Sequence, residues 1–353
     1  MTSIELVTVS VDGQEFTAWD SVAVTAGRST AARSFTLQCA AELGTQALAW
    51  TFAPGKLVEI RSNGDLLCTG YTDKFIPRLD AKSAGVSISG RSKSADLVDC
   101  AALDETGFFE QMTPAEILQR LDRFGVGISS EIDLDKIDYQ LNPGETVFSV
   151  ADTLLRSQSA TLSGQADGSA KIVGPPTKTM AGELIEGRDF TVGQATHDWS
   201  KRYSVYRLRG QRPGGVEDDD LEIEVIARDS KVPRFRPKVG VIAEDTTLGR
   251  AKKRARQERD RSAGAGLTAG FTVQGFRDAA GVLWEPGALV WTESPFLLLR
   301  QNMMIESVAW RQGPRKTGST AALSMIDPRA HGGKSGKADG SGDAWDMDST
   351  DAE

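Results

Sequence analysis

Two stretches far apart in the chain carry the same succession of residues, and this bounds the fold more tightly than any other feature. Phe35-Thr36-Leu37-Gln38 returns as Phe271-Thr272-Val273-Gln274. After the first copy come Trp50 and then Pro54-Gly55-Lys56-Leu57-Val58. After the second come Trp284 and then Pro286-Gly287-Ala288-Leu289-Val290. A further β-type stretch follows each, over residues 66–73 and 302–310. Four-residue matches and Pro-Gly turns also arise by chance, and two unrelated strand-turn-strand units are the plainer account. The shared order of strand, loop, Trp, Pro-Gly and strand favours a duplication, and so two similar β-barrels in one chain. A trimer of such a chain would present six similar domains in a ring, which lets a three-fold assembly mate with a six-fold one.

The segments around the repeats support a mainly β, α+β chain. Residues 4–11 and 14–19 flank Asp12-Gly13, and the stretches at 57–61 and 66–71 flank Asn63-Gly64. Asp-Gly and Asn-Gly between apolar runs signal hairpins. Residues 34–39 and the period-two run Val86-Ser87-Ile88-Ser89-Gly90 add strands. Short strands broken by turns point to a sandwich or barrel. Near residue 112 the period changes. Thr113-Pro114-Ala115-Glu116 combines a cap, a first-turn proline and a capping-box glutamate. Ile117, Leu118, Leu121 and Phe124 follow at helical spacing, and Gly125 and Gly127 stop them. A second helix is expected over 146–158, with Val147, Val150, Ala151, Leu154 and Leu155 on one face. A hairpin around Asp167-Gly168 completes a small α/β block, closed by Pro175-Pro176. Strands are expected again at 189–192, 204–210 and 221–227, then a charged helix over 247–262 and β structure to 326.

The expected division is a first barrel over 1–111, a small α/β domain over 112–178, and a β-rich connection over 179–245 that contributes to the barrels. The charged helix with the second barrel fills 246–326, and a flexible tail 327–353. The last segment is rich in Gly, Ser, Asp and Lys, and cannot offset its ordering entropy by burial. The 353 residues fit two or three domains at about 150 residues each. With 39% hydrophobic and 25% charged residues, real cores can form.

A formal charge of −8 argues against a general nucleic-acid binder. Only His197 and His331 are present, which disfavours a multi-histidine metal centre. Cys39, Cys68 and Cys100 match no zinc or redox spacing and fit buried thiols in a reducing cytosol. The first residues lack the pattern of a signal peptide, and no apolar run is long enough to span a membrane. Asp218-Asp219-Asp220 lacks the spacing of a calcium loop and reads as a solvated tip. Gly264-Ala265-Gly266 lacks the ending of a phosphate-binding loop. Asp133 and Asp135 read as solvated loop carboxylates. The stretch 250–261 carries seven basic residues and two acidic ones, Glu258 and Asp260. Its weak apolar stripe fits a solvated face, and next a contact with an acidic protein surface, ahead of nucleic acid. Trp50, Trp284 and Trp310 read as core. No catalytic, cofactor or metal constellation emerges.

Other residues carry a resemblance. Leu67-Cys68-Thr69-Gly70-Tyr71-Thr72-Asp73, the run Val86 to Gly90, and Arg91-Ser92-Lys93-Ser94-Ala95-Asp96-Leu97-Val98-Asp99-Cys100 resemble the first barrel of the baseplate hub proteins of phage Mu-type contractile tails. Gly281-Val282-Leu283-Trp284-Glu285-Pro286-Gly287-Ala288-Leu289-Val290 resembles the second. The charged helix and the start at Gly144-Glu145-Thr146 also fit, so the resemblance spans roughly residues 1–326. It implies a virion protein made in the host cytoplasm, a homotrimeric ring at the centre of the baseplate. The implied neighbours are the spike below, tube or tube-initiating proteins above, and wedge proteins around. It implies no catalytic residue, cofactor, membrane or sequence-specific nucleic acid, and leaves the tail unexplained. Phe35, Gln38, Pro54, Gly55 and Val58, with Phe271, Gln274, Pro286, Gly287 and Val290, are expected to be corresponding framework positions. An acidic channel wall would let DNA pass without sticking. The rival expectations are a tail-carried cell-wall hydrolase and a tail module that binds host glycans.

Overall fold

The computed structural model describes residues 5–17, 19–40, 51–79, 84–211, 222–242, 247–313 and 318–334. Residues 1–4, Trp50, Asp218-Asp219-Asp220 and most of the expected tail lie outside them. Seven strands come first: β1 (Val7–Val11), β2 (Gln14–Phe16), β3 (Ser21–Gly27), β4 (Ser34–Ala40), β5 (Leu57–Ser62), β6 (Asp65–Leu79) and β7 (Ala84–Ser92). Asp12 and Gly13 have φ of 49° and 81°, and Asn63 and Gly64 48° and 89°. Positive φ at both central residues matches the right-handed twist of the flanking strands, so these two pairs close the expected hairpins.

A small domain follows, with α1 (Asp96–Asp99), β8 (Phe108–Met112), α2 (Pro114–Leu121), β9 (Ile128–Ser130), β10 (Ile137–Gln140), α3 (Val147–Ser157), β11 (Thr161–Gly164) and β12 (Ala170–Val173). Thr113 caps α2 by accepting from the Glu116 N–H at 3.3 Å, while the Glu116 carboxylate accepts from the Thr113 N–H at 2.7 Å. The helix stops at Leu121, short of Phe124, which is exposed. There the Asp122 carboxylate accepts from the N–H groups of Val126 and Gly127 and turns the chain away. The predicted face of α3 is buried at all five positions. This domain begins before residue 112, because Leu97, Ala102 and Phe109 belong to its core. The change of period marks only the first long helix. Four-residue α1 and five-residue β8 are too short to carry a period of their own.

Next come β13 (Thr179–Ile185), β14 (Phe190–His197), β15 (Val205–Gln211), β16 (Glu222–Arg228), β17 (Pro237–Val241), α4 (Leu248–Ala265), β18 (Leu267–Gln274), β19 (Leu289–Ser294), β20 (Leu299–Gln312) and β21 (Ser319–Ile326). The connecting region divides. β13 and β14 join the large sheet, whereas β15, β16 and β17 form a separate three-stranded sheet. The charged helix α4 packs on that small sheet, placing Ala251 and Ala255 against Tyr206, Leu208 and Val225. Its buried stripe is alanine, which is why it looks polar all round in sequence. The expected tail also starts folded: Pro328–His331 is a 3₁₀ turn capped by Asp327, itself fully buried.

Thirteen strands make one continuous sheet. One lobe runs β2-β1-β5-β6-β7-β4-β3, and the other runs β13-β19-β20-β21-β18-β14. The lobes meet where β3 pairs antiparallel with β20, from Gly27 opposite Ser307 to Val22 opposite Gln312. No ladder among the described residues closes either lobe into a barrel. One apolar core, including Leu37, Ile60, Ile88, Phe271, Val290 and Trp310, runs through both.

Gly90 shows how tightly the first lobe is packed. A Cβ there would lie 2.0 Å from the Tyr71 carbonyl oxygen and 2.5 Å from the Phe35 ring. At Gly85, on the same strand, the nearest atom would be 3.6 Å away. Gly90→Ala is therefore expected to cost about 3 kcal/mol or more, and Gly85→Ala to stay within about 0.5 kcal/mol. Urea unfolding midpoints of the two variants check this.

Candidate assembly surfaces

The two lobes have the same strand order. Reading β3-β4-β7-β6-β5-β1 in one against β14-β18-β21-β20-β19-β13 in the other pairs six strands with six, and leaves only β2 without a counterpart among the described residues. The last pair differs in direction: β1 lies antiparallel to β5, and β13 parallel to β19. The Pro-Gly turns make matching bonds. Gly55 donates to the Thr72 carbonyl at 2.7 Å, and Gly287 donates to the Ile305 carbonyl at 2.7 Å. Thr72 donates back to Lys56 at 3.0 Å, and Ile305 to Ala288 at 2.9 Å. A bulge follows each, at Asp73 and at Glu306, after which Lys74 opposes Ser89 and Ser307 opposes Ser324.

The ten expected framework residues all lie on these lobes. Phe35 and Phe271 are both 2% exposed, Val58 and Val290 are fully buried, and Gln38 and Gln274 are exposed. Pro54 and Gly55 precede β5, and Pro286 and Gly287 precede β19. Thr72 opposes Gly90 and Phe35 opposes Gly90, while Ile305 opposes Met325 and Ala269 opposes Met325. The ladder thus sets Phe35 beside Ala269, and Phe271 falls two residues further along. A two-residue displacement keeps the side chain on the same face, so both rings still point inward. Trp284 and Trp310 are also core, and their indole N–H groups find no acceptor among the described residues.

Buried charges fasten the lobes to each other and to the small domain. Arg33 donates to the carbonyls of Leu67 at 2.8 Å and Gly164 at 3.2 Å, and its guanidinium lies 5.8 Å from the centre of the Trp310 ring. Arg28 donates to the Gly174 carbonyl and meets His331 Nδ1 at 3.2 Å. Glu5, 2% exposed, accepts from Ser62 at 2.6 Å and from the Phe276 N–H at 3.3 Å, and faces Arg277 at 3.5 Å. Arg277 also pairs with Asp65 at 2.6 Å. Sequence patterning missed these groups, because an isolated Arg or Glu between strands carries no periodic signal.

Beside Arg28, a cleft of about 250 Å³ is lined by Arg156, Arg261 and His331, with Asp152. Burial, then the charges of Arg28 and Arg261, push His331 down to about 4. Glu306 stands 3.9 Å away, but is more than a third exposed and screened by solvent. His197 meets the Leu297 carbonyl at 3.0 Å, far along the chain from His331. Two of the three thiols expected to be buried are so, Cys39 and Cys68, whereas Cys100 is only partly buried; burial raises Cys68 to about 12. Asp133 and Asp135 are exposed. Among the described residues no group of three His, Cys, Asp or Glu side chains gathers to hold a metal, and no helix is long and apolar enough to cross a membrane.

Among the apolar side chains that stand in solvent, two groups on strands concern assembly. One is the end of β6, where Ile76 is 42% and Leu79 86% exposed. The other is the outer face of the three-stranded sheet, where Ile226, Val239 and Val241 stand exposed in the rows beside Arg207 and Arg209. Paired with open strand edges, such surfaces mark contacts between chains.

Comparison with known proteins agrees with an assembly role. Residues 6–92 match the Mu phage baseplate assembly protein GpP-like N-terminal family. Residues 94–174 match the second domain of baseplate hub protein gp44-like proteins, and residues 247–332 the fourth domain of Mu phage baseplate assembly protein GpP. Three successive segments thus match baseplate assembly and hub families of Mu-type phages. It is 29% identical over 315 residues to baseplate hub protein gp44 of Escherichia phage Mu, covering 85% of this chain and 82% of that one. The 43 kDa tail protein of prophage MuSo2 from Shewanella oneidensis superposes with a TM-score of 0.79 at 26% identity, over 92% of this chain and 98% of that one. A tail protein from Neisseria meningitidis MC58 shares the fold, with a TM-score of 0.75 at 20% identity, over 94% and 100% of the two chains. The chain is thus a structural hub protein of the phage tail baseplate.

His331 gives the hub a pH signature. The unfolded chain takes up a proton near 6.5 that the folded chain refuses until about 4. Protonation across that window favours unfolding, so this contribution to stability is full above the window and lost as pH falls through it. Melting temperatures measured from pH 7 to pH 4 should fall less steeply in His331→Gln than in the unaltered hub.

Proposed function

We propose that the hub works as a homotrimeric ring that joins the central spike to the tail tube and converts three-fold into six-fold symmetry. The repeated strand order of the two lobes carries this reading. Three chains of two lobes offer six like surfaces to a six-fold tube, while the three chain boundaries still match a trimeric spike. In this reading the lobes are a duplicated domain. Pro54, Gly55 and Val58 correspond to Pro286, Gly287 and Val290 in its shared framework, while Phe35 and Gln38 share with Phe271 and Gln274 a face, inward Phe and outward Gln, two residues out of register.

The small α/β domain and the β15–β17 sheet with α4 stand apart from the ring lobes. They are available to wedge proteins at its rim, and the exposed row of Ile226, Val239 and Val241 supports that use. The spike takes one side of the ring, and tube or tube-initiating proteins take the other. A net charge of −8 supports a channel that passes DNA without retaining it. The role is structural and not enzymatic, in keeping with the hub families that match the chain.

Light scattering at assembly concentrations should give a mass near three times the 37.9 kDa of one chain. A strictly monomeric hub, with or without spike protein present, would sink the ring. A cleared band on a peptidoglycan zymogram would sink the purely structural role.

A further inference from the structure

The strand order leaves one edge in each lobe without its partner. Within one chain, residues 307–312 of β20 pair with β3. Their counterparts in the first lobe are residues 74–79 of β6, set by the matching bonds of Thr72 and Ile305 and by the bulges after them. β6 leaves β5 at Tyr71, and from there to Leu79 it pairs only with β7 among the described residues. In the second lobe the counterpart of β3 is β14, which pairs only with β18 among the described residues. Val24 opposes Phe35, and Ala195 opposes Ala269, so Val24 and Ala195 hold the same place.

We infer that residues 74–79 of β6 pair antiparallel with the free edge of β14 in a neighbouring copy of the chain, repeating between chains the ladder that β20 and β3 make within one. The inference rests on the ring proposed above and names the strands that close it. The register follows from the counterparts. Trp310 opposes Val24 and Val308 opposes Ala26, so Pro77 falls opposite Ala195 and Phe75 opposite His197. Leu79 falls opposite Gly193, as Gln312 does opposite Val22.

The exposures support this occupant. Trp310 and Val308, covered by β3, are 1% and 0% exposed, whereas their counterparts on the uncovered strand, Pro77 and Phe75, are exposed and partly buried, and Leu79 at its end stands 86% exposed. Phe75 packs against the core and is only partly buried. Small Ala195 leaves room for Pro77, while Phe190 and Leu297 already lie over Gly193, opposite Leu79. Pro77 has no N–H, so the ladder is one bond short there. Proline also keeps a lone edge from pairing indiscriminately. The contact is head-to-tail: each chain offers a β6 edge on one side and a β14 edge on the other, as a closed ring requires.

Ile76 and Thr196 test the register. Their counterparts Ala309 and Thr25 are directly opposed. In a Cys100→Ser background, Ile76→Cys with Thr196→Cys should give, on mild oxidation, about tenfold more reducible covalent oligomer than either single variant. Ile76→Cys with Val192→Cys, out of register, should not. In the unaltered protein, amides of residues 75, 79 and 193–197 should exchange slowly in the trimer. A particle of trimeric mass with neither cross-link nor protected edges overturns the strand pairing and leaves the ring standing. A strictly monomeric protein overturns both.

Discussion

The ladder between β3 and β20 is the constraint on which the rest of the molecule depends. It converts two lobes into one sheet and lets one core run through both. Val24 and Ala26 of one lobe close over Trp310 and Val308 of the other, and all four are almost fully buried. Val24 and Val308 each contribute about 1.5–3 kcal/mol by leaving water, so the joint is a piece of core and not a surface contact. Two lobes held this way cannot swing independently, and their relative angle becomes a fixed property of the chain.

The loop after β3 extends that rigidity to the small domain. Arg28 and Arg33 bracket it, and both guanidiniums sit in the interior, donating to backbone carbonyls of residues 164, 174 and 67. A buried cation with such partners is tolerable, and would be costly without them. The Gly164 N–H donates to Thr30 at 3.0 Å, and a Cβ on Gly164 would sit 2.2 Å from the Ala31 carbonyl. The approach of the two backbones thus depends on residue 164 having no side chain. Glu5 and Arg277 do similar work at the other end of the lobes, where a buried carboxylate receives donors from both.

Much of this fold was legible in the sequence wherever local chemistry decides local structure. The Asp12-Gly13 and Asn63-Gly64 turns, the capping box at Thr113 and the buried face of α3 are set by neighbours a few residues apart. β3 was passed over, although Val22, Val24 and Ala26 alternate inward. Its stretch carries no turn pair, and gains its importance from a partner nearly three hundred residues away. The stripe of α4 escaped because alanine is a weak apolar signal. The likeness of the two lobes was visible through their Pro-Gly turns, whose hydrogen bonds match. The Phe-Thr motif led to the right strands two residues out of register, since alternation conserves a face and not a position. The edges suited to assembly were not legible at all, for an unpaired strand looks like a paired one until the topology is known.

A rigid joint inside the chain has a geometric consequence for whatever forms between chains. If β6 and β14 meet as β20 and β3 do, the rotation relating lobes across chains equals the rotation relating them within one. Six equal steps of about 60° then close on themselves after three chains, and a different angle would yield an open helix. Under that pairing the number of subunits would follow from the twist of one ladder of six residue pairs. The parallel β13 and antiparallel β1 mark where the lobes stop being equivalent. In the proposed ring that difference would leave the ladders six-fold and the outer strands three-fold, which is what an adaptor between two symmetries needs.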